Sequence, residues 1–161
     1  MTKEIQLTQG KVALVDDDVY EWASKFKWHA RRDESRFYVQ RKIKNFLGEW
    51  AVTLHLHREI MDAPVDMTVD HINGDGLDCR RENMRLATNT ENGCNRRPNA
   101  NNTSGYKGVT LHKQMGRWRA RIMVNQKPIH LGFFNDLVEA AQAYDNAAIE
   151  YHGEFARLNF P

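Results

Sequence analysis

The chain has 161 residues, 41% hydrophobic and 10% aromatic, a composition that supports one ordinary domain or two small ones and reads as globular and soluble. No apolar run approaches the roughly 18 residues of a membrane span, and MTKEIQLTQG lacks the charged-then-apolar order of a signal peptide, so a cytoplasmic, membrane-free protein is expected. Two cysteines, Cys79 and Cys94, without a C-x-x-C suggest neither a disulfide framework nor a structural zinc site, and the net charge of +2 conceals a strongly uneven distribution.

Residues 1–61 read as an α+β lead-in. Lys11 to Val15 has the β-branched character of a strand, DDDVYEWASKF can start a helix on its acids, and KWHARR and RFYVQRKI each suit a strand. Gly48 punctuates a hairpin before Trp50-Ala51-Val52, and LHLHREIM reads as a strand passing into a helix. His55-x-His57 would share one strand face, a spacing that metal sites use. No third ligand is near in sequence, so packing with an occasional phosphate contact is the expectation for both.

From Asp62 to Glu82 six acids stand against Arg80 and Arg81. Within this acidic stretch opens VDHINGDGLDCRRENMRLATNTENGCN, residues 69–95. The pair Asp70-His71 leads into INGDGLD, rich enough in Gly, Asn and Asp to turn sharply. A short apolar alternation at Met84 and Leu86 follows, and Thr88-x-x-Glu91 has the pattern of a helix N-terminus. Strand, loop, strand and short helix can gather Asp70, His71 and Asn92 around one point. Asp and Asn oxygens suit a hard divalent cation, and the adjacent imidazole suits proton abstraction, as a metal-assisted phosphodiester nuclease requires.

This segment resembles the HNH endonuclease superfamily, and within it the phage and intron-encoded homing type in which Asn replaces the last His. Asp70-His71, Asn83 twelve positions after His71 and Asn92 twenty-one after it match that motif. The resemblance implies a ββα-metal core, Asp70 and Asn92 as metal ligands, His71 as general base and Asn83 as the brace of the loop carrying the base. It implies one divalent ion, Mg²⁺ with Mn²⁺ as a substitute, and a phage or mobile element in a bacterial host as the source. Cys79 stands where relatives commonly have Asn and takes no role. An HR pair precedes the motif in that family, which makes Arg58 a weak candidate for a phosphate contact.

Residues 92–135 contain no Asp or Glu but eight cations, Arg96, Arg97, Lys107, Lys113, Arg117, Arg119, Arg121 and Lys127. That is the footprint of a phosphate-backbone partner. NRRPNANNTSG reads as a linker whose Arg96 and Arg97 could also lie in a minor groove. Tyr106 to Val109 is expected as a first strand. Residues 117–124 alternate strictly, with Trp118, Ala120, Ile122 and Val124 on one face and Arg117, Arg119, Arg121 and Met123 on the other. NQK turns the chain into a third strand carrying Ile129 and Leu131 inward. A helix over 136–152, with Asn135 as N-cap and Gly153 as stop, places Leu137, Ala140, Ala141, Tyr144, Ala147, Ala148 and Tyr151 on one face to cover the sheet.

YKGV, GRWRARI, HLGFF, AAQAYDNAA and ARLNFP together resemble the APETALA-type DNA-binding domain of plant ethylene-response factors, over 105–161. The resemblance implies that the face bearing Lys107, Arg117, Arg119, Arg121 and His130 lies in the major groove. Thr110 and His130 depart from the usual Arg or Trp, so the recognised sequence should differ.

The expected architecture is therefore α+β, with a lead-in and HNH core over 1–97, a linker over 98–104, and a three-stranded sheet packed on one helix over 105–161. The expected function is a site-preferring homing endonuclease acting on double-stranded DNA as a monomer with no small-molecule cofactor. A cleavage-inactive DNA-binding regulator and a low-specificity defence nuclease are the alternatives.

Overall fold

The computed structural model describes residues 1–33 and 36–161. The chain is α+β, built from small antiparallel sheets, and divides into compact units over 1–89 and 90–161.

In the first unit β1 (Thr2–Gln6) pairs antiparallel with β2 (Val12–Asp16), matching Ile5 to Ala13. Sequence patterning gives no sign of β1: only Ile5 points inward, and the strand is specified by its partner's inward Ala13 and Val15. α1 (Asp17–Ala23) opens with Asp17 and Asp18 at its positive N-terminal end and buries Val19 and Ala23. β3 (His29–Asp33), β4 (Arg36–Lys44) and β5 (Trp50–His55) form a second antiparallel sheet, and β5 passes directly into α2 (Leu56–Met61). Trp28, Val15, Val19, Val39 and Leu56 form the centre of the core, and Trp28 Nε1 meets its burial by donating to the Ala23 carbonyl at 2.9 Å. β6 (Thr68–His71) pairs antiparallel with β7 (Met84–Ala87), after which α3 (Asn89–Cys94) begins.

In the second unit β8 (Val109–His112), β9 (Arg117–Val124) and β10 (Lys127–Phe134) form one antiparallel sheet with β9 central. The expected strand start at Tyr106 is corrected: residues 106–108 form a turn. Gly108, at φ +76°, lies so close to α4 (Leu137–His152) that a Cβ there would fall 2.0 Å from the Tyr144 ring. The β9–β10 turn places Asn125 and Gln126 both at positive φ, as a two-residue hairpin turn that follows strand twist requires. α4 is capped by Asp136 and not by Asn135, because the Asp136 carboxylate accepts from the Val138 and Glu139 N–H groups at 2.7 and 2.9 Å. Asn135 instead takes the Arg117 Nε–H at 2.9 Å. Ala140, Ala141, Tyr144, Ala147 and Ala148 are buried as the helical spacing predicts. Tyr151, expected on the same covering face, is instead 44% exposed. The buried residue that apolar patterning misses is Asp145, which receives the Asn159 and Phe160 N–H groups at 2.8 to 3.0 Å and so ties the C-terminal tail to the helix. No helix among the described residues is long and apolar enough to cross a membrane.

Candidate functional site

β6 ends on the acid and imidazole, and both its faces are covered: Val69, Asp70 and His71 are all buried. Antiparallel register sets Asp70 opposite Arg85 and His71 opposite Met84. Arg85 donates through Nε and Nη2 to Asp70 Oδ2, at 3.0 and 2.8 Å. A carboxylate as buried as Asp70 requires a positive partner, and a guanidinium from the adjacent strand supplies one.

The loop after His71 is closed by its own side chains. Asn83 accepts the Asn73 N–H on Oδ1 at 3.0 Å and gives its amide hydrogens to Asn73 Oδ1 at 3.1 Å and the Asp78 carbonyl at 2.9 Å. Asp78 in turn accepts from Asn73 Nδ2 at 3.0 Å and from Arg80 Nε and Nη2, both at 2.8 Å. The Arg80 guanidinium holds the Asp78 carboxyl below the ordinary carboxylate range despite its burial. The far side of the loop is stitched to β2, where the Leu14 N–H donates to the Leu77 carbonyl and the Cys79 N–H to the Leu14 carbonyl. Gly76 leaves no room for a side chain, since a Cβ would lie 2.4 Å from the Phe37 carbonyl oxygen and 2.6 Å from the Tyr38 ring.

Around His71 the structure gathers rings that the sequence leaves apart. Its centroid lies 5.3 Å from His57 and 6.0 Å from Tyr38, and His57 is 5.5 Å from His55. Burial pushes the His71 imidazole below the ordinary histidine range, while Asp70, Asp75 and Asp78 oppose that and Arg36 adds to it. Burial, with His71, His55 and Arg58 nearby, pushes His57 down to about 3. Both rings are therefore neutral near pH 7. Arg58 spans the connector into the motif, donating to the carbonyls of Met67, Ala63 and Pro64 at 2.7 to 2.9 Å. Those bonds occupy the guanidinium that sequence reasoning offered to a phosphate.

Asn92 lies half-buried on α3 at the start of the second unit, and Arg96 and Arg97 follow it as exposed residues. Cys79 is a core thiol, pushed up to about 12 by burial. Among the described residues no group of three or more His, Cys, Asp or Glu could by itself hold a metal ion.

The second unit presents a different surface. On β9 the alternation leaves Arg117 and Arg121 exposed and Arg119 half-buried, with Trp118, Ala120, Ile122 and Val124 turned inward. Cross-strand register aligns Arg117 with His112, Arg119 with Thr110 and Phe133, and Arg121 with His130. The His130 ring rests 4.7 Å from Phe133. Lys107 stands in the turn before β8, not on a strand; its Nζ donates to the Cys94 carbonyl, and burial lowers it to about 8. Asn102 and Ser104, at the end of the expected linker, close this turn: Ser104 Oγ donates to the Val109 carbonyl at 2.8 Å, and Asn102 Oδ1 accepts from the Ser104 and Gly105 N–H groups.

Both surfaces have counterparts in known proteins. Residues 62–94 match the HNH endonuclease family model. This HNH segment contains Asp70, His71, Asn83 and Asn92 and ends with α3. The chain is also 51% identical over 63 residues to APETALA2-like protein 2 of Oryza sativa subsp. indica, covering 38% of this chain and 14% of the relative. It is 51% identical over 57 residues to the AP2-like ethylene-responsive transcription factor ANT of Arabidopsis thaliana, covering 34% of this chain and 10% of the relative. The chain thus spans about a tenth to a seventh of the length of these curated relatives.

Arg85 beside Asp70 and His57 beside His71 are the neighbours that sequence reasoning missed. Register could have shown the first, since pairing His71 with Met84 sets Arg85 opposite Asp70. The second depends on how β5 and α2 pack, which no local pattern encodes.

Proposed function

We propose that the chain is a site-preferring DNA endonuclease of the homing type, which hydrolyses phosphodiester bonds in double-stranded DNA. The observation that carries this reading is a buried, neutral His71 beside Asp70 on a loop locked by Asn83, within a segment that matches the HNH endonuclease family.

His71 takes a proton from the water that attacks the scissile phosphorus, and a neutral imidazole at pH 7 is ready to accept it. Asn83 keeps the imidazole's loop from shifting during that transfer. A divalent ion, Mg²⁺ in a cell with Mn²⁺ as a substitute, suits the Asp70 and Asn92 oxygens and would supply charge neutralisation at the phosphate and the leaving 3′ oxygen when bound.

The outer face of β8–β10 reads the target, with Arg119 and Arg121 placed to contact bases and Arg117 and His130 beside them. Arg96 and Arg97 add phosphate contacts, and Lys107 secures the turn at the sheet's edge. Incubating supercoiled plasmid with the full chain and Mg²⁺, then mapping the cut ends, tests the reading. Clustered ends that need both metal and His71 are expected; a plasmid left intact across Mg²⁺ and Mn²⁺ concentrations would refute it.

A further inference from the structure

The hairpin between β4 and β5 displays apolar side chains that the first unit does not cover. Phe46 is 96% exposed, Leu47 66% and Trp50 64%. Its turn is nevertheless fixed: Asn45 Oδ1 accepts the N–H groups of Leu47 and Glu49 at 2.9 and 3.0 Å, and Gly48 takes φ +80°. A rigid turn that holds two large apolar residues in water is shaped to enter something.

Charge and register indicate what. Among the described residues this sheet and its turn carry Arg31, Arg32, Arg36, Arg41, Lys42 and Lys44 against Asp33 and Glu49, and Glu49 is engaged by Asn45 Nδ2 at 3.2 Å. Strand alternation puts Arg36, Tyr38, Gln40, Lys42 and Lys44 on one face of β4. Opposite them stand Arg31 on β3 and Thr53 and Trp50 on β5, with Lys44 Nζ 4.9 Å from the Trp50 ring. Tyr38 is the ring beside His71, Gln40 after it is buried, and Lys42 and Lys44 are exposed, so the open cationic part of this face lies between the candidate catalytic residue and the apolar tip.

We propose that the β4–β5 hairpin is a second DNA-contacting element, whose Tyr38 face carries the phosphate backbone away from His71 and whose tip residues Phe46 and Leu47 enter a base step. Apolar wedges flanked by cations kink duplex DNA in this way. Six residue steps of strand from Tyr38 to Lys44 span about 20 Å, and the tip lies two to three residues further on. At 3.4 Å per base step the insertion falls roughly six to eight base pairs from the cut. The proposal rests on the nuclease reading for the position of the cut but not for the contact itself.

The test compares the full chain with Phe46→Ser/Leu47→Ser, both in a His71→Ala background that blocks cleavage. The probe is a duplex in which 2-aminopurine is stepped outward from a cleavage site mapped with the unaltered chain. A fluorescence rise confined to a step about six to eight base pairs from the cut, absent in the double variant, is expected, together with roughly tenfold weaker binding. The two side chains are exposed, so thermal melting should be unchanged. An identical 2-aminopurine profile and affinity within twofold would overturn the proposal. So would loss of binding to phosphatidylglycerol vesicles with DNA affinity retained, which would assign the tip to a membrane surface. Should the unaltered chain cut no DNA, the nuclease reading fails, and weaker binding of the double variant to random-sequence duplex still reports the contact. Normal cutting with an unaffected tip variant defeats the hairpin proposal alone.

Discussion

Asn83 in the first unit and Asn159 in the second make the same kinds of hydrogen bond. Each accepts a backbone N–H on Oδ1, from Asn73 at 3.0 Å and from Lys107 at 2.7 Å, and each gives amide hydrogens to a backbone carbonyl and a side-chain oxygen. Their surroundings differ. The Asn83 network encloses the loop that leaves His71, so the groups that hold the structure and those that would do chemistry share atoms. The Asn159 network lies with Asp145 and the tail, whereas the arginines of β9 stand on the outward face of the sheet. On the proposed reading, stability and function are coupled in the first unit and separable in the second.

The largest expected effect tests the coupled side. His71→Ala should lower the single-turnover cleavage rate by roughly 10² to 10⁴ while DNA affinity changes within a few fold. Parallel loss of binding and cleavage would deny His71 its role. Next come the two asparagines. Asn83→Ala should destabilise the first unit by about 1 to 3 kcal/mol and slow cleavage as well, because buried partners lose their hydrogen bonds. Asn159→Ala should produce a similar loss confined to the second unit, read by amide hydrogen exchange, with the cleavage rate at saturating DNA retained. A slow Asn159→Ala enzyme would break the comparison.

Smaller effects are expected on the separable side. Arg121→Ala should cost about 1 to 3 kcal/mol of binding at the true site and less at random sequence, without lowering the melting temperature. A further effect, on the coupled side, is a stability slope with pH. His57 has a folded-state value of about 3 against an ordinary 6.5, so the unfolded chain binds its proton more readily. Its contribution is present above pH 6.5 and is lost as pH falls from 6.5 toward 3. Denaturant titrations across that window should show a shallower loss in His57→Gln than in the unaltered chain.

The parts legible in the sequence share one property, a local period or spacing. Strict alternation over 117–124 fixed the inward and outward sets of β9, and helical spacing fixed most of the buried face of α4. The Gly, Asn and Asp content after His71 announced a turn, and the turn is there. Features set by distant partners were not legible. Ile5 alone marks β1, and Asp145 looks like any acid on a helix until the tail folds back onto it. Asn135 and Asp136 are both good caps by residue type, and the choice between them was made by Arg117, which takes the Asn135 side chain. Packing is the expectation for His57 because no third ligand lies near it in sequence, and strand parity pairs it with His55; the chain instead bends from β5 into α2 between the two and brings His57 against His71.

The burial of Cys79 also matters at the bench. With its thiol in the core and pushed up to about 12, it forms almost no thiolate at neutral pH, whereas Cys94 is only half-buried at the end of α3. Maleimide should therefore modify the folded chain once, at Cys94. That would give a fluorescent reporter two residues from Asn92 without any engineered cysteine, and a second modification would appear only as the first unit unfolds.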